Sequence, residues 1–484
     1  MSVILFANIG NSDLQIDGKR PHNPRVEGQA AFEHFAEHQF DLTIIEPCVR
    51  EVLRDHGTID RVVLFYTDQQ ATPESLQTDR YGVALRDKDT IWFAQIIARA
   101  LEERFTGHVI STTLVRTART DGGQFNPSMP DEAFDVFGQL LPRFYGDSTE
   151  QAFVLMSGGL PACNNALQLH VLAYYGERCA MLYKPETKDP IEQRVGAQLQ
   201  QVFQRNAALG ALERQNFAAA LALVEGGAAS SDIVALLRYT TYREAFDFAR
   251  AGVALRDAMR LANGDLRALI GELRGELDAL DRHEMPALLR ELALNAQIAF
   301  ANERYADFLG RVFRFQEAAL RYVVETRLGV PTDISSDREL FFVAVEAYPA
   351  LAEFLRGRQI KGRPLRYEAP TIPVLGAALD FMIEGGTRAD GTPVLNTKEQ
   401  GVFKGLKKTL DSIEHLTQLR NQSVIAHGFA GVSREALAET CGGDAQMALA
   451  AMPKVLRMLG LDGGDALVRL TAILRERLRQ GSTR

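Results

Sequence analysis

The sequence predicts a doubly wound α/β domain, a parallel sheet with helices on both faces, followed by an all-helical region. Three observations carry this. Short apolar runs alternate with amphipathic stretches up to about residue 195. Strand-like runs nearly vanish after about Gln193. Long segments rich in Ala, Leu, Arg and Glu then take over.

The expected strands are Val3–Ile9, Arg61–Thr67, His108–Val115, Ala152–Ser157 and Cys179–Lys184. They are rich in Val, Ile, Leu, Phe and Tyr with little strict alternation, which suits strands buried on both faces. Helix-like stretches lie between them, at Asp41–Asp55, Asp87–Arg104, Asp131–Tyr145 and Pro161–Tyr175. This βαβα order is that of an open parallel sheet. The second half reads as long helices over Gly196–Leu223, Ser231–Ala262, Met285–Leu328 and Asn396–Ala426. Gly-, Ser-, Pro- or Asp-rich breaks fall at Glu225–Ser231, Gly329–Asp337 and Ile383–Thr397. No internal repeat of fixed period stands out. The expected domains are therefore 1–195 and 196–484, with an uncertainty of about ten residues at the boundary.

A chain of 484 residues is long enough for two or three cores. With 54 basic and 62 acidic residues the net charge is −8, which excludes bulk attraction to nucleic acid but not a local basic groove. The cysteines Cys48, Cys163, Cys179 and Cys441 are scattered and form no C-x-x-C pair, so reduced, buried thiols are expected rather than disulfides or a metal site. The opening MSVILFANIG has no basic region before its apolar run and reads as a strand, not a signal peptide. No apolar stretch approaches the roughly 18 residues of a membrane span. A cytoplasmic protein with no membrane partner is expected.

Two loops carry the ligand chemistry. The first strand ends in Gly10-Asn11-Ser12-Asp13, and the fourth in Ser157-Gly158-Gly159-Leu160-Pro161-Ala162-Cys163-Asn164-Asn165. Both sit at carboxyl ends of strands, where open α/β sheets bind ligands. Gly158 and Gly159 allow close backbone approach. Pro161 suits the first helical position, and the amides behind it face outward at the positive end of the helix dipole. Asn11, Ser12, Asn164 and Asn165 add short polar groups. Asp13 would repel a phosphate, so it contacts a ribose hydroxyl or caps its loop. The plainer reading is an ordinary pair of strand-to-helix turns, where these residue types are common. Neither loop is G-x-G-x-x-G or G-x-x-x-x-G-K-[ST], which argues against a dinucleotide enzyme or a P-loop NTPase.

In the helical half, Thr417–Phe429 reads TQLRNQSVIAHGF. Arg420 and His427 are seven positions apart, so on an uninterrupted helix they share a face at roughly 10 Å. A histidine can move the proton of a 2′-hydroxyl or a leaving oxygen. An arginine can hold the scissile phosphate, and Asn421 can orient the histidine or bind phosphate. The plainer reading puts His427 in a last helical turn with Gly428 as its C-cap. Arg356, Arg358, Lys361, Arg363, Arg366, Lys404, Lys407 and Lys408 are either a phosphate track or a solvated face, the commoner outcome. Tyr305, Phe308, Phe313, Phe315 and Tyr322 suit core packing better than base stacking.

Taken together, the order of these motifs resembles the CARF–HEPN ribonucleases that accompany type III CRISPR systems. Gly10-Asn11-Ser12-Asp13 and Ser157-Gly158-Gly159-Leu160-Pro161-Ala162 resemble the loops of the Rossmann-like CARF sensor. Arg420-Asn421 followed by His427 resembles the signature of the all-α HEPN domain, and Asn302–Arg321 resembles the helical region upstream of it. The resemblance implies a homodimer that binds a cyclic oligoadenylate activator across its two-fold axis. It implies antiviral, metal-independent cleavage of single-stranded RNA to a 2′,3′-cyclic phosphate, with two Arg420/His427 pairs in one composite site and no cofactor. Arg116 and Lys184, after the third and last strands, are further candidates for phosphate contact. The alternative is a non-catalytic sensor whose helical half binds a partner protein or RNA.

Overall fold

The computed structural model describes residues 2–480 except 74, 79–81, 124, 148, 334–338, 361, 424, 426–427 and 465. The chain divides into two compact units, Met1–Phe203 and Gln204–Arg484.

The first unit is built on a six-stranded sheet. Its strands are Val3–Asn8, Arg61–Tyr66, Thr112–Arg116, Gln151–Leu155, Cys179–Tyr183 and Ile191–Gln193. They run across the sheet in the order third, second, first, fourth, fifth, sixth. All neighbours are parallel except the last pair. The apolar runs therefore become strands as the sequence predicts, although the third begins at Thr112 rather than His108. The short antiparallel Ile191–Gln193 lacks an apolar run, with Ile191 its one aliphatic residue.

Every residue of Val3–Asn8 is buried. Val3, Leu5 and Ala7 face one core with the helices Ile45–His56 and Ile91–Arg104. Ile4 and Phe6 face the other, with Pro130–Leu140 and Pro161–Tyr175. The alternation of side chains along a strand thus feeds two cores at once, which is why the strands need apolar residues at consecutive positions. The strand order reverses between the first and fourth strands, leaving a crevice beyond their carboxyl ends. A further helix, Pro24–Glu33, is capped by the Asn23 side chain on the Val26 amide at 3.1 Å.

The second unit is helical, with two apolar cores. One gathers Ala208–Leu280 with Ala466, Leu467, Leu470, Leu474 and Leu478 of the last helix. The other runs from Leu289 to Leu461. Several long segments of the sequence prove to be pairs of helices. Gln215, Phe246, His283 and Glu303 adopt positive φ, at 55°, 59°, 56° and 58°. Each is followed by a residue whose amide reaches five positions back: Asn216 to Ala211, Asp247 to Tyr242, Glu284 to Ala279 and Arg304 to Ala299. This is the Schellman pattern, made here without glycine. Asn216 and Asp247 then cap the next helix through their side chains, and an apolar residue opens each one: Phe217, Phe248, Met285 and Tyr305.

A buried ion network ties three helices of this unit together. Arg243, on Ser231–Glu244, makes bidentate contact with Glu291, reaching Oε2 at 2.7 Å and Oε1 at 3.1 Å. It also reaches Glu276 at 3.0 Å and the Tyr239 hydroxyl at 2.7 Å. Asn295 donates to Glu291 at 3.1 Å. Burial alone would lower the proton affinity of Arg243, but the carboxylates of Glu291 and Glu276 hold the guanidinium firmly charged. Removing one partner of such a pair strands the other charge in the core. Arg243→Met is expected to destabilise the helical unit by about 3–5 kcal/mol, and the double variant Arg243→Met/Glu291→Leu to regain most of that loss. Urea unfolding of the three proteins measures both; equal losses in the single and double variants contradict the account.

Candidate functional site

The loops after the first and fourth strands lie side by side because their strands pair directly, Ala7 opposite Leu155. A Cβ on Gly10 would stand 2.2 Å from the Gly159 nitrogen, so only glycine lets the two backbones come this close. Gly158 and Gly159 adopt φ of 80° and 60°. The Asn8 amide donates to Asn164 Oδ1 at 2.9 Å, bridging the two strand ends. Asn164 Nδ2 in turn donates to the carbonyls of Gly158 and, at 3.2 Å, Met156. The Ser157 hydroxyl accepts from the Lys184 amide at 2.7 Å, fixing the loop to the fifth strand.

Asp13 is wholly buried beneath this junction. Its Oδ2 accepts from the Gly10 amide at 2.5 Å, while Oδ1 has no hydrogen-bond partner. Burial pushes its pKa up to about 7, against the opposing pull of the Gly10 and Gly159 amides and the charge of Arg20. Asp13 therefore caps the loops from below. Of the two roles expected for it, this is the loop cap; Asp13 is not on the wall of the cavity described next.

Above the junction lies a cavity of about 320 Å³. Of the residues singled out in the sequence, Gly10, Asn11, Ser12, Gly159 and Leu160 line it. Ser157, Gly158, Pro161 and Asn164 are not on its wall; Ser157 and Asn164 are buried and act on the loop backbone. Pro161 opens the helix Pro161–Tyr175, whose N-terminus has no side-chain cap. The wall also holds Thr67, Gln69, Lys88, Thr90, Thr117, Asn126 and Ser128. Those come from the ends of the second and third strands and the segments after them. Sequence reasoning missed them because no glycine pattern marks these loops; their position after a strand was the available signal. A neighbouring cleft of about 610 Å³ shares Thr67, Gln69, Thr117 and Asn126 and adds Arg116 and Arg119. Arg116 also donates to the Asp68 carbonyl at 3.0 Å. Lys184 turns its ammonium back onto the carbonyls of Pro185 and Lys188, at 2.8 and 2.7 Å, and lines neither space.

The helical unit places Arg420 and Asn421 on the short helix Leu416–Gln422. The Arg420 guanidinium lies over the Phe313 ring, 4.7 Å from its centroid. It donates to Asn421 Oδ1 at 3.1 and 3.3 Å. Phe313 is buried in the core as expected, and its ring doubles as the platform for the arginine.

The uninterrupted helix expected over Asn396–Ala426 is not formed. Thr397–Glu414 ends before His415, and Leu416–Gln422 ends at Ser423, which is extended at φ −93° and ψ 168°. Ser423 satisfies the helix end itself, donating from its amide and hydroxyl to the Arg420 carbonyl at 3.1 and 2.8 Å. The chain then returns: Ala430 donates to the Gln422 carbonyl at 2.8 Å. A Cβ on Gly428 would stand 2.0 Å from that carbonyl. Gly428 thus serves close backbone approach and is not a helix C-cap. His427 lies outside the described residues, so the pairing of Arg420 with His427 on one helical face has no support in the helix.

The basic stretches divide. Arg356 pairs with Glu346, and Arg358 with Glu384. Lys407 pairs with Asp411 at 3.1 Å. Arg363, Arg366, Lys404 and Lys408 are exposed, and Lys361 lies outside the described residues. Cys48, Cys163, Cys179 and Cys441 are buried free thiols. Among the described residues, no helix is long and apolar enough to cross a membrane.

No family model and no curated protein matches the sequence. Among solved structures, the chain is similar to Enterococcus italicus Csm6 bound to cyclic hexa-2′-fluoro-hexa-dAMP. The match covers 99% of this chain and 100% of that one, with a TM-score of 0.50 at 15% identity. At that identity the likeness is one of fold, which Csm6, a CARF–HEPN protein, shares. Both have a Rossmann-like sheet unit followed by a helical unit.

Two consequences of the loop junction are testable. Asp13 binds its proton more tightly in the fold, at about 7, than at its ordinary value of 3.8. Its contribution to stability is therefore full below about pH 4 and declines as pH rises towards 7. Asp13→Asn is expected to flatten that slope, as read from urea unfolding at a series of pH values; an unchanged slope contradicts the buried carboxyl's role. Gly10→Ala is expected to destabilise the chain by about 1–3 kcal/mol through the clash with Gly159, measured in the same way.

Proposed function

We propose that this protein is a ribonuclease switched on by a cyclic oligoadenylate, acting in type III CRISPR antiviral defence. The observation that carries the reading is the cavity over the Gly10–Gly159 junction, in a chain that shares its fold end to end with a protein solved with a cyclic hexanucleotide. The cavity offers backbone amides, an uncapped helix N-terminus and short polar side chains, a set suited to phosphate and ribose oxygens. Gly10, Asn11, Ser12, Gly159 and Leu160 contact the activator, and Ser157, Gly158, Pro161 and Asn164 hold the loops that present them.

In the helical unit, Arg420 holds the scissile phosphate. The Phe313 ring beneath it and Asn421 beside it fix the guanidinium plane, so little entropy is lost on binding. The 2′-oxygen attacks phosphorus, the bond to the 5′-oxygen breaks, and a 2′,3′-cyclic phosphate forms. His427 moves the proton between these oxygens. The working form is a homodimer in which two such sets line one groove. The activator favours the dimer state in which the groove is competent, and the coupling is the difference in its affinity for the two states.

The test is cleavage of a fluorogenic single-stranded RNA in EDTA, with no ligand, cyclic tetra-adenylate or cyclic hexa-adenylate. Cleavage is expected with one ring size only. Arg420→Ala and His427→Ala are each expected to lower it at least about 100-fold while leaving activator binding unchanged. Folded protein that binds the activator but never cuts would return the helical unit to a partner-binding role.

A further inference from the structure

The helix Tyr305–Leu328 carries more than the platform for Arg420. Around it from Phe313 opens a second pocket of about 590 Å³. Its floor is apolar, formed by Phe246, Met285, Leu288 and Leu292. Its rim is cationic, formed by Arg311, Arg314 and Arg321 of the helix itself. The Arg311 guanidinium lies over the Phe246 ring, 5.3 Å from its centroid, and its Nε is buried with no hydrogen-bond partner. Arg314 is 73% exposed.

Two carboxylates stand against the three guanidiniums. Glu317 is held between Arg314 and Arg321, at 3.1 and 2.8 Å, and Asp333 lies at the edge. The rim keeps a net positive charge, concentrated on Arg311. The helix that forms the rim also meets the segment after Arg420, at Gly310. A Cβ on Gly310 would stand 3.9 Å from Ile425, in the loop that follows the Arg420 helix. Arg314 is one turn further along the same strip of the helix.

We infer that this pocket is a nucleotide subsite of the RNA substrate, taking the base and phosphate of a residue flanking the scissile bond. The inference rests on the ribonuclease reading above. A nucleobase has the flat apolar face that the floor accepts, and a guanidinium plane such as Arg311 stacks on it. The attached phosphate meets Arg314. An apolar peptide would leave the guanidiniums unanswered, and a free anion would leave the floor bare. Single-stranded RNA answers both, and a phosphate at Arg420 with a base in this pocket fits one strand running past Gly310.

The experiment uses full-length protein with the ring size that supports cleavage, and a fluorescein-labelled 2′-O-methyl RNA, which lacks the attacking hydroxyl. Binding is read by anisotropy across a salt series. Arg311→Ala is expected to raise Kd about tenfold. Arg314→Ala is expected to raise it less and to reduce the log–log salt slope by roughly 0.7, one phosphate contact on a single strand. Arg311→Lys is expected to keep the salt slope while losing most of the affinity, because the charge survives and the plane does not. On unmodified RNA, Arg311→Ala is expected to redistribute the cut positions. If wild type binds and cuts RNA while all three variants keep its Kd, salt slope and cut positions, the subsite is wrong and the ribonuclease reading stands. If wild type neither binds nor cuts RNA, both fall. Arg314, being largely exposed, keeps the test open should an Arg311 variant fail to fold.

Discussion

The geometry of the N-terminal unit depends on one close approach, Gly10 against Gly159. Two parallel strands that pair directly must end side by side, and at this point their crossovers leave to opposite faces of the sheet. The loops diverge but their first residues collide, so the backbone has to give up its side chains there. Once the glycines are in place, the rest follows. The Asn8–Asn164 bridge ties the strand ends, Ser157 ties the second loop to the fifth strand, and Asp13 fills the space beneath. These polar groups are spent on one another and on the loop backbone. That is how a surface of amides and small side chains above them is held in one shape, and a preorganised surface binds at lower entropic cost.

The helical unit solves a different problem. Its first core is made of short helices that must reverse direction repeatedly. The reversals are made by Gln215, Phe246, His283 and Glu303 in the left-handed region, each followed by a capped or apolar helix start. A side chain at positive φ costs on the order of 1–2 kcal/mol, which the apolar contacts of the following Phe217, Phe248, Met285 or Tyr305 offset. The Arg243–Glu291–Glu276 network then fixes the register between the helices it joins, since a buried charge tolerates little displacement from its partner.

These two designs explain what was legible in the sequence. The sheet was, because strands buried on both faces leave unbroken apolar runs, and all five such runs are strands. The Gly-bearing loops were, because glycine at a strand end reports a backbone constraint. Asp13 was legible only as a choice of two roles, since a carboxylate in a ligand loop and a carboxylate beneath it look alike until burial is known. Three of the helical reversals were invisible because glycine and proline are the usual punctuation, and here Gln215, Phe246 and Glu303 do the same work. The break after Gln422 was hidden for a related reason: Ser423 caps its own helix end through amide and hydroxyl, with no glycine or proline nearby until Gly428.

That break changes what the Arg420 motif means. On a continuous helix, the spacing of seven would have set the geometry of the pair by periodicity alone. With the helix stopped at Gln422, Arg420 is positioned by tertiary contact, through Phe313 and Asn421, and the segment after it is fastened by Ser423 at one end and Ala430 at the other. The same helix that supplies the platform, Tyr305–Leu328, also carries Gly310 against that loop and Arg311 and Arg314 beyond it. One element thus carries the aromatic ring beneath Arg420, the glycine against Ile425 and the arginines of the pocket.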